Sequence, residues 1–380
     1  MTLDYEILKL IWWLLIGILL ISFAITDGFD LGVGALIPFV GQSDEERRVL
    51  LNAVGPTWES NQVWLVTAVG ALFAAWPLVY ATAFSSFYFV LLLALGALFL
   101  RPVGFDYRSK LPNPRWRNAW DWGLFIGGVG PAFMFGIAVG NLFEGVPFYF
   151  DTDLRSYYTG SFLALLNPFA LLTGIVSLSM LVMHGAVYLQ LKTEDVIANR
   201  CQKAVIFSAS VFLIGFITCG SQITFNLIGY QIETIGELNR ALNPLDKSVY
   251  TALGAWMVNY QRFDWLWAIP TQVFLFTVLT VALSKRGKPG LAFITSSISI
   301  AGVIATVGLS LYPFLLPSST HPDHSLTIWD SGSSFLTLKV LFWVTLFFVP
   351  IVITYTSWVY RILKGKVSVA KIRENQHTAY

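Results

Sequence analysis

The chain has 380 residues, 56% of them hydrophobic and only 12% charged, with 30 Phe, 15 Tyr and 14 Trp; a soluble domain usually carries roughly 25% charged residues. That balance excludes an ordinary soluble globular protein and points to a polytopic helical membrane protein, for which no nucleic-acid partner is expected. The net charge of +2 says little by itself, and the two cysteines, Cys201 and Cys219, have no metal or redox spacing, so zinc and disulfide chemistry are set aside.

Nine apolar segments run along the chain at 7–39, 62–81, 84–100, 120–143, 160–189, 203–228, 263–283, 291–316 and 335–362. Each is close to or above the roughly 20 residues needed to cross hydrocarbon. The expected fold is an all-α polytopic membrane protein with nine transmembrane helices, residues 1–380 forming a single integral membrane domain. The first segment opens with Asp4, Glu6 and Lys9 and reads as a retained span rather than a signal peptide. The least defined boundary lies near Thr82, where two short runs meet and a re-entrant hairpin is the alternative. Most of the 24 basic residues fall on one side of this scheme: Arg47 and Arg48, the run from Arg101 to Arg117, Lys192 to Lys203, Lys285 to Lys288, and the tail with Arg361, Lys364, Lys366, Lys371 and Arg373. The positive-inside rule then puts the N-terminus outside and the C-terminus in the cytoplasm. The outer connections, 144–159, 229–261 and 317–334, are too small for a separate domain, so the chemistry served lies in the membrane or in a partner. Pro77, Pro131, Pro168, Pro270, Pro313 and Pro350 are expected to kink or end spans, and Gly127, Gly128 and Gly130 to admit a close neighbouring helix. No internal repeat stands out.

Acids inside hydrocarbon are expensive and normally face a protein interior or a water path. Asp27 and Asp30, in Thr26-Asp27-Gly28-Phe29-Asp30, are three apart and share one helix face about 5–6 Å from one another. Two desolvated carboxylates so placed disfavour double ionisation, so one is expected to hold a proton. Gly28, Gly32 and Gly34 leave room for water, a ligand or a helix. Proton transfer or quinone contact is one reading of the pair; satisfying backbone amides at a helix break is the other. Glu59, in Trp58-Glu59-Ser60-Asn61-Gln62-Val63-Trp64, lies at the inner mouth of the second span between two interface-type indoles. It suits helix capping or proton collection. Arg101 ends an apolar run and has Asp106 or an acid of the first helix as candidate partners; the basic, aromatic loop that follows reads as an orientation signal touching anionic lipid. His184 is the only histidine placed in a span, so a bis-histidine haem is not expected, and no cysteine cluster offers iron–sulfur ligation.

These motifs, with Phe73-Ala74-Ala75-Trp76-Pro77, Arg101-Pro102-Val103-Gly104-Phe105-Asp106-Tyr107-Arg108, Trp256 to Asn259, Tyr312-Pro313-Phe314 and the ending 377–380, resemble subunit II of the cytochrome bd ubiquinol oxidase family nearly end to end. The resemblance implies a nine-helix subunit paired with a similar subunit I, which carries the b and d haems, oxidises quinol and reduces oxygen with cytoplasmic protons. It implies that Glu59, where the family has Trp-Asp-Gly-Asn-Gln, belongs to a proton route and that Asp27 and Asp30 lie near a structural ubiquinone and the subunit seam, with Trp58 as aromatic neighbour. Arg101 is assigned to the same quinone or seam contacts. His184 stands where the family has Gln. Expected partners are subunit I, small single-helix accessory subunits and lipid, in the bacterial inner membrane. The competing class is a secondary transporter with a midplane ion site at Asp27 and Asp30; a purely structural scaffold is the third.

Overall fold

The computed structural model describes residues 4–363 and 365–374. Lys364 and the 377–380 ending lie outside the described residues, as do the side chains of Lys371 and Arg373. The first helix, α1 (Tyr5–Val40), has 36 residues, about 54 Å at 1.5 Å per residue, so it tilts or projects beyond a hydrocarbon layer of about 30 Å. A short amphipathic helix, α2 (Asp44–Val54), follows; the Ser43 hydroxyl and the Glu46 carboxylate cap its start reciprocally. A single turn, α3 (Trp58–Asn61), leads into α4 (Val63–Ala75).

The break expected near Thr82 occurs instead at Trp76, with a bend of 120° into α5 (Pro77–Ser86). Pro77 brings no N–H to the helix, and Trp76 is held across the bend by its indole N–H on the Ile328 carbonyl, 3.2 Å away. Thr82 lies inside α5. A second break at Phe87 opens α6 (Tyr88–Tyr107), then α7 (Pro114–Glu144), whose start is capped by Asn113 well before residue 120.

A hairpin of β1 (Phe148–Phe150) and β2 (Ser156–Tyr158) precedes α8 (Pro168–Lys192), which begins at Pro168 because Asn167 caps it there. Next, α9 (Asp195–Phe225) starts earlier than expected, taking Arg200 and Lys203 into its first turns. The hairpin of β3 (Ile228–Thr234) and β4 (Ser248–Leu253), the short α10 (Val258–Arg262), then α11 (Ala268–Lys285) and α12 (Pro289–Leu311) complete the middle of the chain. Pro313 lies beyond the end of α12, and residues expected to be helical form β5 (Phe314–Leu316), paired with β6 (Leu326–Thr327). The last elements are α13 (Phe335–Ile362) and the short α14 (Val369–Glu374).

Among the described residues, eight helices are long and apolar enough to cross a membrane (α1, α6, α7, α8, α9, α11, α12 and α13), with the bent α4–α5 pair a ninth if counted as one span. The chain is therefore all-α in its main body, with hairpins confined to one end. That hairpin end is knitted by Tyr5 Oη donating to Ser333 O, Val146 N to Pro317 O and Trp256 Nε1 to Phe143 O. Lys9, fully buried, donates to the carbonyls of Leu238, Arg240 and Trp329. The basic end gathers α2, the 108–113 turn, the α8–α9 and α11–α12 connections and α14, through contacts such as Arg200 on Val40 O and Val367 N on Lys192 O.

α1 runs through the middle of the bundle, against α7 and α8. A Cβ on Gly185 would lie 2.6 Å from the carbonyl carbon of Gly32, and one on Gly128 2.5 Å from Leu31 O. Glycine is what lets these backbones touch. The room left by Gly28, Gly32 and Gly34 is thus taken by helices: α8 beside the first two and α7 beside the third.

Candidate functional site

The site sits where the most buried part of α1 meets the α3 turn and the end of α6. Asp27 and Asp30 are both buried and one helical turn apart, yet each has its own partner. Arg101, 3% exposed, forks onto Asp27 with Nη1–Oδ2 at 3.0 Å and Nη2–Oδ1 at 2.8 Å. This planar two-point match is what arginine offers a carboxylate in a dry setting. Of the two acids open to Arg101 in sequence, the α1 acid is the one it pairs with. Its guanidinium lies 5.6 Å from the centre of the Trp58 ring, and Trp58 stacks on Phe105 with centroids 5.2 Å apart. These two neighbours of the Trp58 ring both come from α6, and Trp58 and Trp64 are buried.

Asp30 is held differently. Its Oδ2 accepts from Asn61 Nδ2 at 2.7 Å, and Asn61 Oδ1 accepts from the Tyr360 phenol of α13, also at 2.7 Å. Its Oδ1 is buried and has no hydrogen-bond partner among the described residues. One of the two carboxyl groups therefore has the guanidinium and the other an amide, and one oxygen of the second has no partner among the described residues.

Glu59 is exposed while Asn61, two residues on, is buried against α1. The α3 turn sends the two side chains to opposite sides, and the chain alone does not join Glu59 to Asp27 or Asp30. His184 is fully buried, with Nε2 2.9 Å from Ile25 O and Nδ1 2.7 Å from Ser296 Oγ. A carbonyl only accepts, so Nε2 carries the hydrogen, and both ring nitrogens are engaged in tying α8 to α1 and α12. Among the described residues, no three of His, Cys, Asp and Glu converge as a metal site.

The segment expected as a loop from Arg101 stays helical to Tyr107, and the turn that follows contributes Arg108 to a second charged cluster at the basic end. Arg108 donates to Asp121 (2.5 Å) and Asp44 (3.0 Å), Arg47 to Asp121 (2.7 Å) and Arg117 to Asp44 (2.6 Å). Nearby, Glu46 pairs with Arg200 at 2.7 Å. Burial pushes the Glu46 carboxyl up, but Arg200 and the amides of Gln42 and Ser43 outweigh it and hold the group below its ordinary range. Two open clefts there, of about 590 and 330 Å³, are lined from residues 106–116 and from the Asp44–Arg117 region, and neither is lined by Asp27 or Asp30.

Residues 8–363 match the family model described as cytochrome bd terminal oxidase subunit II. The chain is 48% identical over 377 residues to the cytochrome bd-I ubiquinol oxidase subunit 2 of Escherichia coli K12, covering 99% of this chain and 100% of that protein. It is 47% identical to a probable cytochrome oxidase subunit 2 of Haemophilus influenzae, with the same coverage, and 29% identical to the cytochrome bd ubiquinol oxidase subunit 2 of Bacillus subtilis over 94% of this chain and 96% of that one. Among solved structures, a chain of the bd oxidase from Geobacillus thermodenitrificans shares the fold with a TM-score of 0.69 at 17% identity, covering 93% of this chain and 98% of that chain.

Proposed function

The chain belongs to the cytochrome bd terminal oxidase subunit II family, and from that membership we propose a specific division of labour between its buried acids and its haem-bearing partner. As subunit II of a bd-type quinol oxidase in the respiratory chain it supports the catalytic, haem-bearing subunit without ligating haem itself, as a multi-pass protein of the bacterial inner membrane. Family membership sets aside the transporter alternative. In the proposed arrangement the whole chain is one integral membrane domain of nine spans, N-terminus outside and C-terminus cytoplasmic, associated with subunit I, small single-helix accessory subunits and lipid.

The proposed contribution is a cytoplasmic proton route toward the partner's oxygen-reducing haem. Asp27 is balanced by Arg101 and stays a fixed charge pair. Asp30 is the acid that holds a proton, at Oδ1. Glu59, on the exposed side of α3, takes up protons at the cytoplasmic mouth along a surface that subunit I completes. The observation that carries this reading is that the one guanidinium is bound to Asp27, while the neighbouring buried Asp30 has only an amide partner and keeps an unpaired oxygen. Quinones supply carbonyl oxygens that accept hydrogen bonds. Of the three candidate contacts for a structural ubiquinone, Arg101 is bound to Asp27 and Trp58 is packed against Arg101 and Phe105, so Asp30 is the residue that would hold the head group.

The test uses the complete purified oxidase. Asp30→Asn and Glu59→Gln should each slow quinol-driven oxygen uptake roughly a hundredfold or more, the lower end of the range for a displaced acid–base group, with haem spectra unchanged. Asp30→Asn should also lower the quinone extracted per haem. Full turnover in well-assembled variants removes these acids from the route, and unchanged quinone content removes the ligand.

A further inference from the structure

We propose that Tyr360, acting through Asn61, is a positioning residue that determines which oxygen of Asp30 carries the proton, and so couples α13 to that acid. The inference rests on the reading of Asp30 as the proton-holding group. Its basis is the serial chain of hydrogen bonds from the Tyr360 hydroxyl to Asn61 Oδ1 and from Asn61 Nδ2 to Asp30 Oδ2, each 2.7 Å long. The phenol donates to the amide oxygen and thereby turns the amide nitrogen toward α1. A carboxyl oxygen that accepts from N–H offers a lone pair there, so the proton of the neutral acid belongs on Oδ1, the atom with no partner among the described residues. A carboxamide binds through fixed donors and a fixed acceptor and does not relay protons at neutral pH. The chain therefore orients Asp30 rather than conducting to it.

The position of Tyr360 gives this chain a mechanical side. α13 is the most lightly packed of the long helices, with Leu338 its one buried residue. Trp12 Nε1 on Leu338 O ties its beginning to α1, and the Tyr360–Asn61 bond ties its other end to the polar core. Thr57 lies beside both the Tyr360 and Tyr188 phenols, so the hydroxyl that orients Asn61 is itself set in a packed corner. A displacement of α13 reaches Asp30 through the two serial hydrogen bonds at Asn61.

The experiment is redox-induced infrared difference spectroscopy on the assembled oxidase, with the Asp30 carboxyl band identified by its loss in Asp30→Asn. Tyr360→Phe removes one hydroxyl and should shift that band and slow turnover about two- to tenfold, the loss expected of one hydrogen bond, with KM for quinol unchanged. Asn61→Ala should give the same shift and provides the same readout where Tyr360→Phe fails to assemble. Because the links are in series, the double variant should be no worse than either single one. An unmoved band in Tyr360→Phe, or additive effects in the double variant, overturns the positioning role while leaving Asp30 in place. The absence of any band lost in Asp30→Asn overturns the protonated Asp30, and this proposal with it.

Discussion

Arg101 and Asp27 are exposed by only 3% and 0%, and neither charge has water to fall back on. Breaking a buried pair by removing one member costs about 3–5 kcal/mol, because the survivor is left as an uncompensated charge, whereas replacing both by apolar groups is often near neutral. Arg101→Met should therefore strip subunit II from the membrane complex, or lower the temperature at which the complex falls apart. Asp27→Leu combined with Arg101→Met should restore assembly without restoring turnover. The amount of haem-loaded complex after solubilisation reads this directly; an Arg101→Met complex as abundant and heat-stable as the parent would show that the fold does not depend on the pair. The acids and the arginine were legible in sequence because a charge in an apolar run has few reasons to be there. Asn61 and Tyr360 were not, since Asn and Tyr in spans commonly just pack or hydrogen-bond, and nothing local reports that residues 61 and 360 meet. Glu59 was legible as an acid at a helix entrance, but which way a one-turn helix sends it depends on Asn61 docking against α1.

Among the elements, the long helices followed from charge-free length, while their ends were settled by caps and breaks that apolar runs do not encode. Pro168 with Asn167, and Asn113 before α7, moved boundaries by several residues, and Trp76 moved the break in the second segment because its indole is anchored on a strand region more than two hundred residues away. The hairpin end leaves no strand pattern in the sequence, because its strands are two to seven residues long and hold together by cross-connections. The 321–324 turn is one such connection. Asp323 Oδ1 accepts from Val249 N in β4 at 2.7 Å, and His324 Nδ1 accepts from Phe150 N in β1 at 3.0 Å. His321 stacks on His324 at 5.0 Å and meets Tyr149 at 5.4 Å. Burial, then the His321 and Lys247 charges, pull the His324 imidazole below its ordinary 6.5, with Asp323 pulling the other way. The folded turn thus binds this proton less readily than the unfolded chain does. Its stabilising contribution is complete above pH 6.5 and is lost as pH falls from there through the depressed folded value. Hydrogen exchange at the Phe150 amide should quicken over that acid window, and His324→Gln should flatten the response; a rate independent of pH, after correction for intrinsic exchange, would show that the imidazole is not the acceptor that matters.

At the scale of the whole molecule, the ends of the bundle differ in kind. One gathers Arg47, Arg108, Arg117, Arg200 and Lys192 around ion pairs and carbonyls. The other carries the three hairpins, with Lys247 buried on Asp330 at 3.0 Å. Loops rich in Lys and Arg resist translocation, so the first end is expected in the cytoplasm. This orientation also fits the chemistry, since a route that delivers cytoplasmic protons needs Glu59 on that side, and Glu59 lies near the α2 connection of the basic end. Cysteine accessibility decides it. Cys201 and Cys219 are both buried and give little background. Asp153→Cys, in the β1–β2 turn where the side chain is 72% exposed, should react with a membrane-impermeant maleimide on intact spheroplasts. Lys288→Cys, in the α11–α12 connection, should react only after the membrane is opened. The reverse pattern would put Glu59 on the far side of the membrane from the protons it is assigned to collect, and the route would have to be abandoned even with every hydrogen bond around Asp30 intact.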